Sequence, residues 1–155
     1  MIRQNLKNAW IFALAIPFLA AGCSRLDIPS GFVAVPAADR GAYQERLISA
    51  DGVVIGLRTQ NNLQNGDLEF WTLAIQNHFS KNMGYASIKA EDIQSPAGRP
   101  GRVIEFSSSQ SGGMFIYQVG LFVSQYRVTI VEAGGRKEEF DRRRDDVLKS
   151  IRSAG

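Results

Sequence analysis

The chain is poor in the residues on which disulfides, metal sites and many active sites depend. Its 155 residues include one cysteine, Cys23, and one histidine, His78. A single cysteine cannot form an internal disulfide, so a globular part must be held together by packing. A lone histidine without a second histidine or a coordinating cysteine does not make a metal-binding set. We therefore expect no metal, and we interpret His78 as a partly exposed structural residue.

Common catalytic and nucleotide-binding motifs are missing as well. The sequence contains no nucleophile elbow, no dinucleotide-binding glycine fingerprint and no metalloprotease motif. The serine- and glycine-rich stretch 107–113 does not have phosphate-loop spacing and opens no helix, so we interpret it as a flexible hairpin tip. We expect no cofactor, no catalytic residue and no enzymatic activity.

Acidic residues cluster near the C-terminus without the arrangement of a calcium loop. Glu138, Asp141, Asp145 and Asp146 fall on a predicted helix and alternate with the arginines at 142–144. A calcium-binding loop needs oxygen ligands at alternate positions around a central glycine. We interpret the segment as a solvated helical face with ion pairs. Contact of the arginines with anionic headgroups is an alternative, although the neighbouring acids neutralise much of that attraction.

The sequence also lacks a large excess of charge of one sign. The formal net charge of +3 includes Arg3 and Lys7 in an N-terminal leader, and without them the 18 basic residues fall to 16, against 15 acidic residues. Nucleic-acid binding needs a concentrated basic surface, so we expect no nucleic-acid partner. The remaining residues, about 130, suit one domain with an apolar core.

No hydrophobic run is long enough to be a convincing membrane-spanning helix. Residues 9–21 are apolar and uncharged, but they fall short of the roughly 20 residues that a span needs, and Pro17 interrupts them. A short basic stretch, an apolar run and small residues, in that order, predict a secretory signal peptide over residues 1–22.

The end of this leader, Ala20-Ala21-Gly22-Cys23, resembles the lipobox of bacterial lipoproteins. The resemblance implies diacylglyceryl transfer to the Cys23 thiol, signal cleavage between Gly22 and Cys23, and acylation of the new amine. A thiolate is the best nucleophile available for such alkylation, and several acyl chains on one residue give stable membrane anchoring. The alternative is a free thiol at Cys23 or an intermolecular disulfide.

The residues after Cys23 predict where the domain resides. Ser24 stands where an aspartate would resemble an inner-membrane retention signal, which points to the outer membrane and its periplasmic side. Residues 23–39 contain two prolines, a glycine and several alanines, and they predict a short tether with a candidate strand at 32–35. Because some 15 extended residues span at most about 50 Å, the domain at 40–153 is expected to lie close to the membrane.

Apolar patterns predict strands throughout this domain. Residues 43–60 give the strongest hairpin signal, because Asp51-Gly52 suits a type I′ turn in which both central residues have positive φ. Further strands are predicted at 85–93, 102–107, 114–123 and 126–132, with a turn at 108–113. Residues 114–123 are apolar at both alternating sets of positions, so this strand is expected to be covered on both faces.

Two helices are predicted. The first, at 67–83, begins at Asp67, stops before Gly84 and buries a stripe of residues at helical spacing, Leu68, Trp71, Ile75 and Phe79. The second, at 136–151, follows glycines 134–135, which are expected to break the sheet, and it buries Phe140, Val147, Leu148 and Ile151. The order β-β-α-β-β-β-β-α predicts an α+β fold in which an antiparallel sheet and two helices form an α/β/α sandwich.

This order, the Gly-Arg-Pro-Gly-Arg turn at 98–102 and the strand at 127–133 before a helix with Phe140 resemble the PsbP-like, DcrB-type family of α/β/α sandwiches. The resemblance covers roughly residues 43–151 and carries over no catalytic residue. It implies a binding or assembly role.

The expected function is a non-enzymatic envelope lipoprotein that binds a protein partner. Loops carry recognition on such scaffolds, so 61–66 and 108–113 are the candidate contacts. The alternatives are a small-ligand carrier or unrecognised hydrolase with a pocket between sheet and helix, and an assembly factor for a membrane complex.

Overall fold

The computed structural model describes residues 24–155, so the predicted leader and Cys23 lie outside the described residues. Seven strands form one antiparallel sheet in the order β1-β2-β3-β7-β6-β5-β4, and two α-helices pack on it. The strands are β1 Phe32–Ala34, β2 Glu45–Ser49, β3 Val54–Asn61, β4 Ala86–Gln94, β5 Pro100–Gln110, β6 Gly113–Val123 and β7 Arg127–Arg136. The helices are α1 Leu68–Asn77 and α2 Lys137–Ser153. The α+β class and the predicted element order are confirmed, and the candidate strand at 32–35 is present as the edge strand β1.

Helix α2 covers one face of the sheet along most of its length. Phe140, Val147 and Ile151 are fully buried against apolar side chains from β3, β6 and β7. Gly120 in β6 allows this close approach, because a Cβ there would lie 2.3 Å from Cγ2 of Ile151. The helical stripe predicted from Phe140, Val147, Leu148 and Ile151 is confirmed, with Leu148 partly buried.

Helix α1 covers only part of the opposite face. Its N-terminus is as predicted, because the Asp67 side chain accepts a hydrogen bond of 2.8 Å from the Phe70 backbone nitrogen. The helix ends at Asn77 rather than near residue 83, and a π-helical turn, His78–Asn82, follows it. This wider turn directs Phe79 into the core, where its ring stacks on Phe106 at a centroid distance of 4.7 Å.

Strand β6 is covered on both faces, as predicted. Ile116 and Phe122 belong to the core beneath α2, whereas Val119 and Leu121 belong to the core beneath α1. The sequence Met114 to Val123 therefore alternates between two apolar layers rather than between core and solvent.

The predicted break at Gly134-Gly135 is wrong. Both glycines lie inside β7, where Gly134 pairs with Tyr117 and Gly135 with Ile116 of β6. Ladder bonds to β6 hold the strand in the sheet as far as Arg136, so glycine here marks close packing rather than a chain reversal.

Two predicted turns also differ from the structure. In the β2–β3 connection only Gly52 has positive φ, and the Ser49 backbone nitrogen bonds to the Val53 carbonyl at 2.9 Å, so a loop longer than two residues replaces the type I′ turn. The stretch 107–113 is mostly strand, because β5 and β6 remain paired out to Gln110 and Gly113. The flexible segment expected there shrinks to Ser111 and Gly112.

The segment interpreted as a tether lies against the domain. Leu26 and Phe32 are buried in the core beneath α2. The Asp27 backbone nitrogen donates to Ser153 Oγ at 2.8 Å, and Ser150 Oγ donates to the Asp27 carbonyl at 2.8 Å. The division into leader, tether and domain stays a prediction, but the chain from Ser24 onward contributes little free length.

The charged face of α2 is more than a solvated surface. Lys137 and Asp141 form an exposed ion pair as expected. Arg144, however, reaches Glu105 of β5, whose side chain is buried and also accepts a hydrogen bond of 2.6 Å from Gln118 Nε2. Removing one partner of a buried ion pair leaves an uncompensated charge, so Arg144 ties α2 to the sheet.

Replacement of Phe140 by alanine should lower the free energy of unfolding by about 3–5 kcal/mol, because it leaves a cavity at the centre of the α2 interface. Leu73→Ala, at a site on α1 that is 50% exposed, is the control and should change it by less than about 0.5 kcal/mol. Urea denaturation followed by circular dichroism measures both. Equal destabilisation by the two variants would contradict the assignment of the α2 core.

Candidate functional site

A groove opens on the α1 side of the sheet, where the short helix leaves β3 and β7 uncovered. It has a volume of about 330 Å³. We call it the tyrosine groove, because its main lining side chains are those of Tyr43, Tyr85, Phe115, Tyr117, Arg46 and Glu132. Aromatic rings therefore form its walls, and two charges of opposite sign lie within it.

Two glycines let the tyrosine rings lie close to the sheet. A Cβ on Gly56 would lie 2.6 Å from Cδ1 of Tyr43, and a Cβ on Gly134 would lie 2.9 Å from Cδ2 of Tyr117. Real Cβ atoms do not approach other atoms this closely, so neither ring would keep its place above a larger residue. The glycines thus set the depth of the groove.

Glu132 fixes one wall of the groove. Its carboxylate accepts a hydrogen bond of 2.7 Å from the Tyr43 hydroxyl and pairs with the Arg58 guanidinium at 2.9 Å. Only 10% of the Glu132 side chain is exposed, so these two donors satisfy a largely buried charge. The network ties the loop before β2 to β3 and β7.

An aromatic cluster forms the wall next to α1. Phe79 from the π-helical turn lies 5.1 Å from Tyr117 and 5.6 Å from Tyr85 between ring centroids. Tyr85 meets Tyr117 edge to face at 6.1 Å. Such contacts hold the rings in fixed orientations, so the groove is preformed on this side.

Arg46 supplies a cation at the other wall. It lies opposite Gly56 in the β2–β3 ladder, and Gly56 in turn lies opposite Glu132 in the β3–β7 ladder. Within residues 24–155 its guanidinium makes no ion pair, so Arg46 is available to an anionic group that enters the groove.

Two of the groove tyrosines, Tyr43 and Tyr117, have a raised pKa and are neutral at physiological pH. Burial, followed by the hydrogen bond to Glu132 and its negative charge, raises the pKa of Tyr43 above 10.0. Burial raises the pKa of Tyr117 further, and the charge of Glu132 adds to this effect. The Tyr43 hydroxyl already donates its one proton to Glu132, and a phenolate nucleophile at either ring would need strongly alkaline solution. The arrangement is suited to binding.

The predicted site residues do not converge on this groove. Gly22 and Cys23 lie outside the described residues. His78 is exposed, and its Nδ1 lies 3.3 Å from Asn82 Nδ2. No group of three or more potential metal ligands occurs in residues 24–155, and neither helix in this range combines the length and the apolar content of a membrane span.

Side-chain hydrogen bonds fix the conformation of the loop 61–66. The Asn62 side-chain oxygen accepts from the Gly66 backbone nitrogen and from Trp71 Nε1, both at 3.0 Å. Trp71 also packs against the α1 core, which confirms its interpretation as a core residue. The loop therefore lies fixed at the end of the sheet opposite to Gly52 and Gly134 of the groove.

The groove residues were not predicted as a site. Tyr43 and Glu132 are 89 positions apart in the sequence, and only the β3–β7 pairing brings them together. The available signal was the presence of glycines inside strands, at Gly56 and Gly134, since such positions often mark a close approach of another group.

The sheet order, the two helices and the uncovered face define the protein as an α/β/α sandwich with a PsbP-like fold. The solution structure of cyanobacterial PsbP (CyanoP) from Synechocystis sp. PCC 6803 aligns with a TM-score of 0.57 and 9% identity, over 86% of this chain and 94% of that chain. LpqN, which is involved in cell envelope biogenesis of Mycobacterium tuberculosis, aligns with a TM-score of 0.61 and 15% identity, over 82% of this chain and 78% of that chain. No protein-family model and no curated protein sequence matches this chain.

Gly56→Ala should displace the Tyr43 ring and weaken its bond to Glu132. Overpacking of this kind is expected to lower the free energy of unfolding by about 1–3 kcal/mol. Gly112→Ala is the matched control, because a Cβ there meets nothing closer than 3.4 Å, and it should change stability by less than about 0.5 kcal/mol. Urea denaturation and near-ultraviolet circular dichroism of the tyrosines measure both. An unchanged tyrosine spectrum in Gly56→Ala would contradict the close contact.

Stability should fall at alkaline pH because of Tyr117. The unfolded chain releases this proton near the ordinary pKa of 10.0 while the folded chain retains it. The unfolded state then binds fewer protons, so the contribution of Tyr117 to stability is constant below pH 10 and declines above it, by at most about 1.4 kcal/mol per pH unit. Tyr117→Phe should show a shallower decline in urea titrations above pH 10. Tyr126→Phe, at an exposed ring, should keep the wild-type slope.

Proposed function

We propose that the protein is a non-enzymatic lipoprotein of the bacterial cell envelope that binds an envelope protein partner through the tyrosine groove. The observation that carries the binding role is the groove itself, in which aromatic walls, a glycine floor and the Arg46 cation face an open surface. The anchoring role rests on the sequence Ala20-Ala21-Gly22-Cys23, with lipid on the Cys23 thiol and signal cleavage after Gly22.

The envelope location has two supports. The signal-like leader and its cysteine imply export and lipid attachment, and a structural neighbour, LpqN, is involved in cell envelope biogenesis. Ser24 in place of an aspartate favours the outer membrane and its periplasmic side. The near-balance of charge outside the leader gives no support to a nucleic-acid partner.

The groove favours a short extended segment of the partner. Across β3 and β7 its surface is formed by the rings of Tyr43 and Tyr117, which lie over Gly56 and Gly134, so an extended segment can lie flat on aromatic surface. Arg46 suits an acidic residue or a free carboxylate of that segment, since a guanidinium pairs with a carboxylate through two hydrogen bonds. The rings of Phe115 and Tyr117 supply apolar contact area of the kind that dominates protein interfaces.

A small-ligand carrier is the second candidate, because the groove volume of about 330 Å³ falls within the range of small-molecule sites. Its lining comes from strands and loops, however, and not from the space between sheet and helix in which such a pocket was expected. A hydrolase receives less support, since the perturbed groups of the groove, Tyr43 and Tyr117, are shifted away from neutral pH.

A photo-crosslinking amino acid at position 115, in the full chain and in intact cells, should give one adduct with an envelope protein. Arg46→Glu in the same chain should reduce this adduct about tenfold, as loss of an ion pair worth about 1.4 kcal/mol implies. The same probe at exposed Leu73 is the matched control and should not give that adduct. An adduct at position 115 that is insensitive to Arg46→Glu would contradict recognition by the groove.

Intact mass and membrane fractionation test the lipid anchor. Intact mass spectrometry of the wild type should show a cleaved chain with acyl groups on Cys23, and Cys23→Ser should leave the membrane fraction. An unprocessed wild-type mass would overturn the lipoprotein assignment.

Native mass spectrometry that finds a small bound molecule, lost in Arg46→Glu, would instead support the carrier.

A further inference from the structure

The described chain begins at one end of the sheet. Ser24 Oγ lies 3.3 Å from Thr129 Oγ1, near the start of β7. A trans peptide unit keeps neighbouring Cα atoms about 3.8 Å apart, so lipid on residue 23 would emerge beside this point. We call this end of the molecule, formed by the loops 62–66 and 124–127 and by residues 24–25, the anchor end.

Two large apolar side chains project from the loops of the anchor end. Leu63 is 80% exposed and Tyr126 is 75% exposed. The Asn62 backbone nitrogen donates to the Tyr126 carbonyl at 3.0 Å, and Asn62 Nδ2 donates to the Ser124 carbonyl at 2.9 Å. The two loops thus lie side by side and hold both side chains in solvent rather than folding them into the core.

A cluster of cations lies at the same end of the sheet, where Arg127 directly follows Tyr126. Arg25, Arg40 and Arg127 line one surface depression together with Ser24, and Glu45 is the acid among them. The Arg25 side chain is 81% exposed and lies 3.5 Å from Glu45. Three guanidinium groups against one carboxylate leave a positive surface, which attracts anionic phosphates.

We propose that the anchor end docks on the surface of a phospholipid bilayer, with Leu63 and Tyr126 at the headgroup boundary and Arg25 and Arg127 on lipid phosphates. Exposed aromatic and apolar side chains bordered by arginines are typical of membrane interfaces. The location of Ser24 at this end, next in sequence to Cys23, favours the bilayer as the occupant, and in this respect the proposal rests on the proposed lipidation of Cys23.

Docking in this way orients the tyrosine groove away from the membrane. Arg127 begins β7 and Gly134 lies near its other end, a separation of about 23 Å at roughly 3.3 Å per strand residue. The groove then opens toward the periplasm, within reach of a partner that is not embedded in the same leaflet.

The test uses the full lipidated chain in vesicles of phosphatidylethanolamine and phosphatidylglycerol. Lipidation consumes the thiol of Cys23, so Leu63→Cys or Tyr126→Cys introduces a single reactive site for a bimane fluorophore. Ser111→Cys, in the β5–β6 turn at the opposite end, is the matched control. Since interfacial groups lie about 5–10 Å into the headgroup boundary, nitroxide-labelled phospholipid should quench the first two labels about twofold or more and leave the third unchanged.

Charge reversal provides a second arm. Arg25→Glu with Arg127→Glu should reduce quenching at position 63 at low salt, and added salt should weaken quenching in the wild type. Quenching that is equal at positions 63, 126 and 111, or absent at 63 and 126, would overturn the proposal. If the anchor end binds another protein instead of lipid, the labels would stay unquenched in these vesicles, which contain no other protein. That result would overturn the proposal as well.

Failure of docking and failure of lipidation are distinguishable. The same labels in a Cys23→Ser chain, mixed with concentrated vesicles, report docking without a lipid anchor. Quenching in this chain, together with an unlipidated wild-type mass, would retain docking and reject the anchor. A lipidated wild type without quenching at positions 63 and 126 would retain the anchor and reject docking.

Discussion

The need to cover both faces of one sheet governs the rest of this structure. Strand β6 is apolar toward both sides, so each side requires a packed layer. Helix α2 has 17 residues and covers one side, whereas α1 has 10 and lies mainly over β5 and β6. Because α1 is so much shorter, β3 and the second half of β7, from Glu132 to Gly134, have no helical cover on the α1 side.

Side chains from loops and strands complete that face. Tyr43 folds back over Gly56, and Tyr117 lies over Gly134. Glu132 between them is held by Tyr43 and Arg58, so a buried carboxylate has its hydrogen bonds satisfied without help from α1. Because rings cover the surface less completely than a helix would, the tyrosine groove remains. The groove is therefore a consequence of the same constraint that gives the domain its two cores.

The sequence predicted the parts of this fold that depend on local patterns. The apolar residues at 114–123 predicted a strand buried on both faces, and Asp67 predicted the start of α1, because neighbours within a few residues determine both. The predicted break at Gly134 was wrong, because a glycine that ends a strand and a glycine that leaves room for an aromatic ring give the same local signal in the sequence. Glu105 and Arg144 are 39 positions apart, and their pairing depends on how α2 crosses β5.

Prediction of the groove would have required the same kind of long-range information. Its members come from the segments before β2 and β4 and from several strands, and their neighbourhood follows from register rather than from spacing in the chain. The two ends of β7 then acquire different roles. One end lies beside Ser24 and the proposed lipid, and the other borders the groove. In the proposed function, this strand of 10 residues is a rigid spacer between the proposed attachment point and the proposed recognition surface. An anchored binding protein needs such a separation, because a site in contact with headgroups would be closed to a partner in the periplasm.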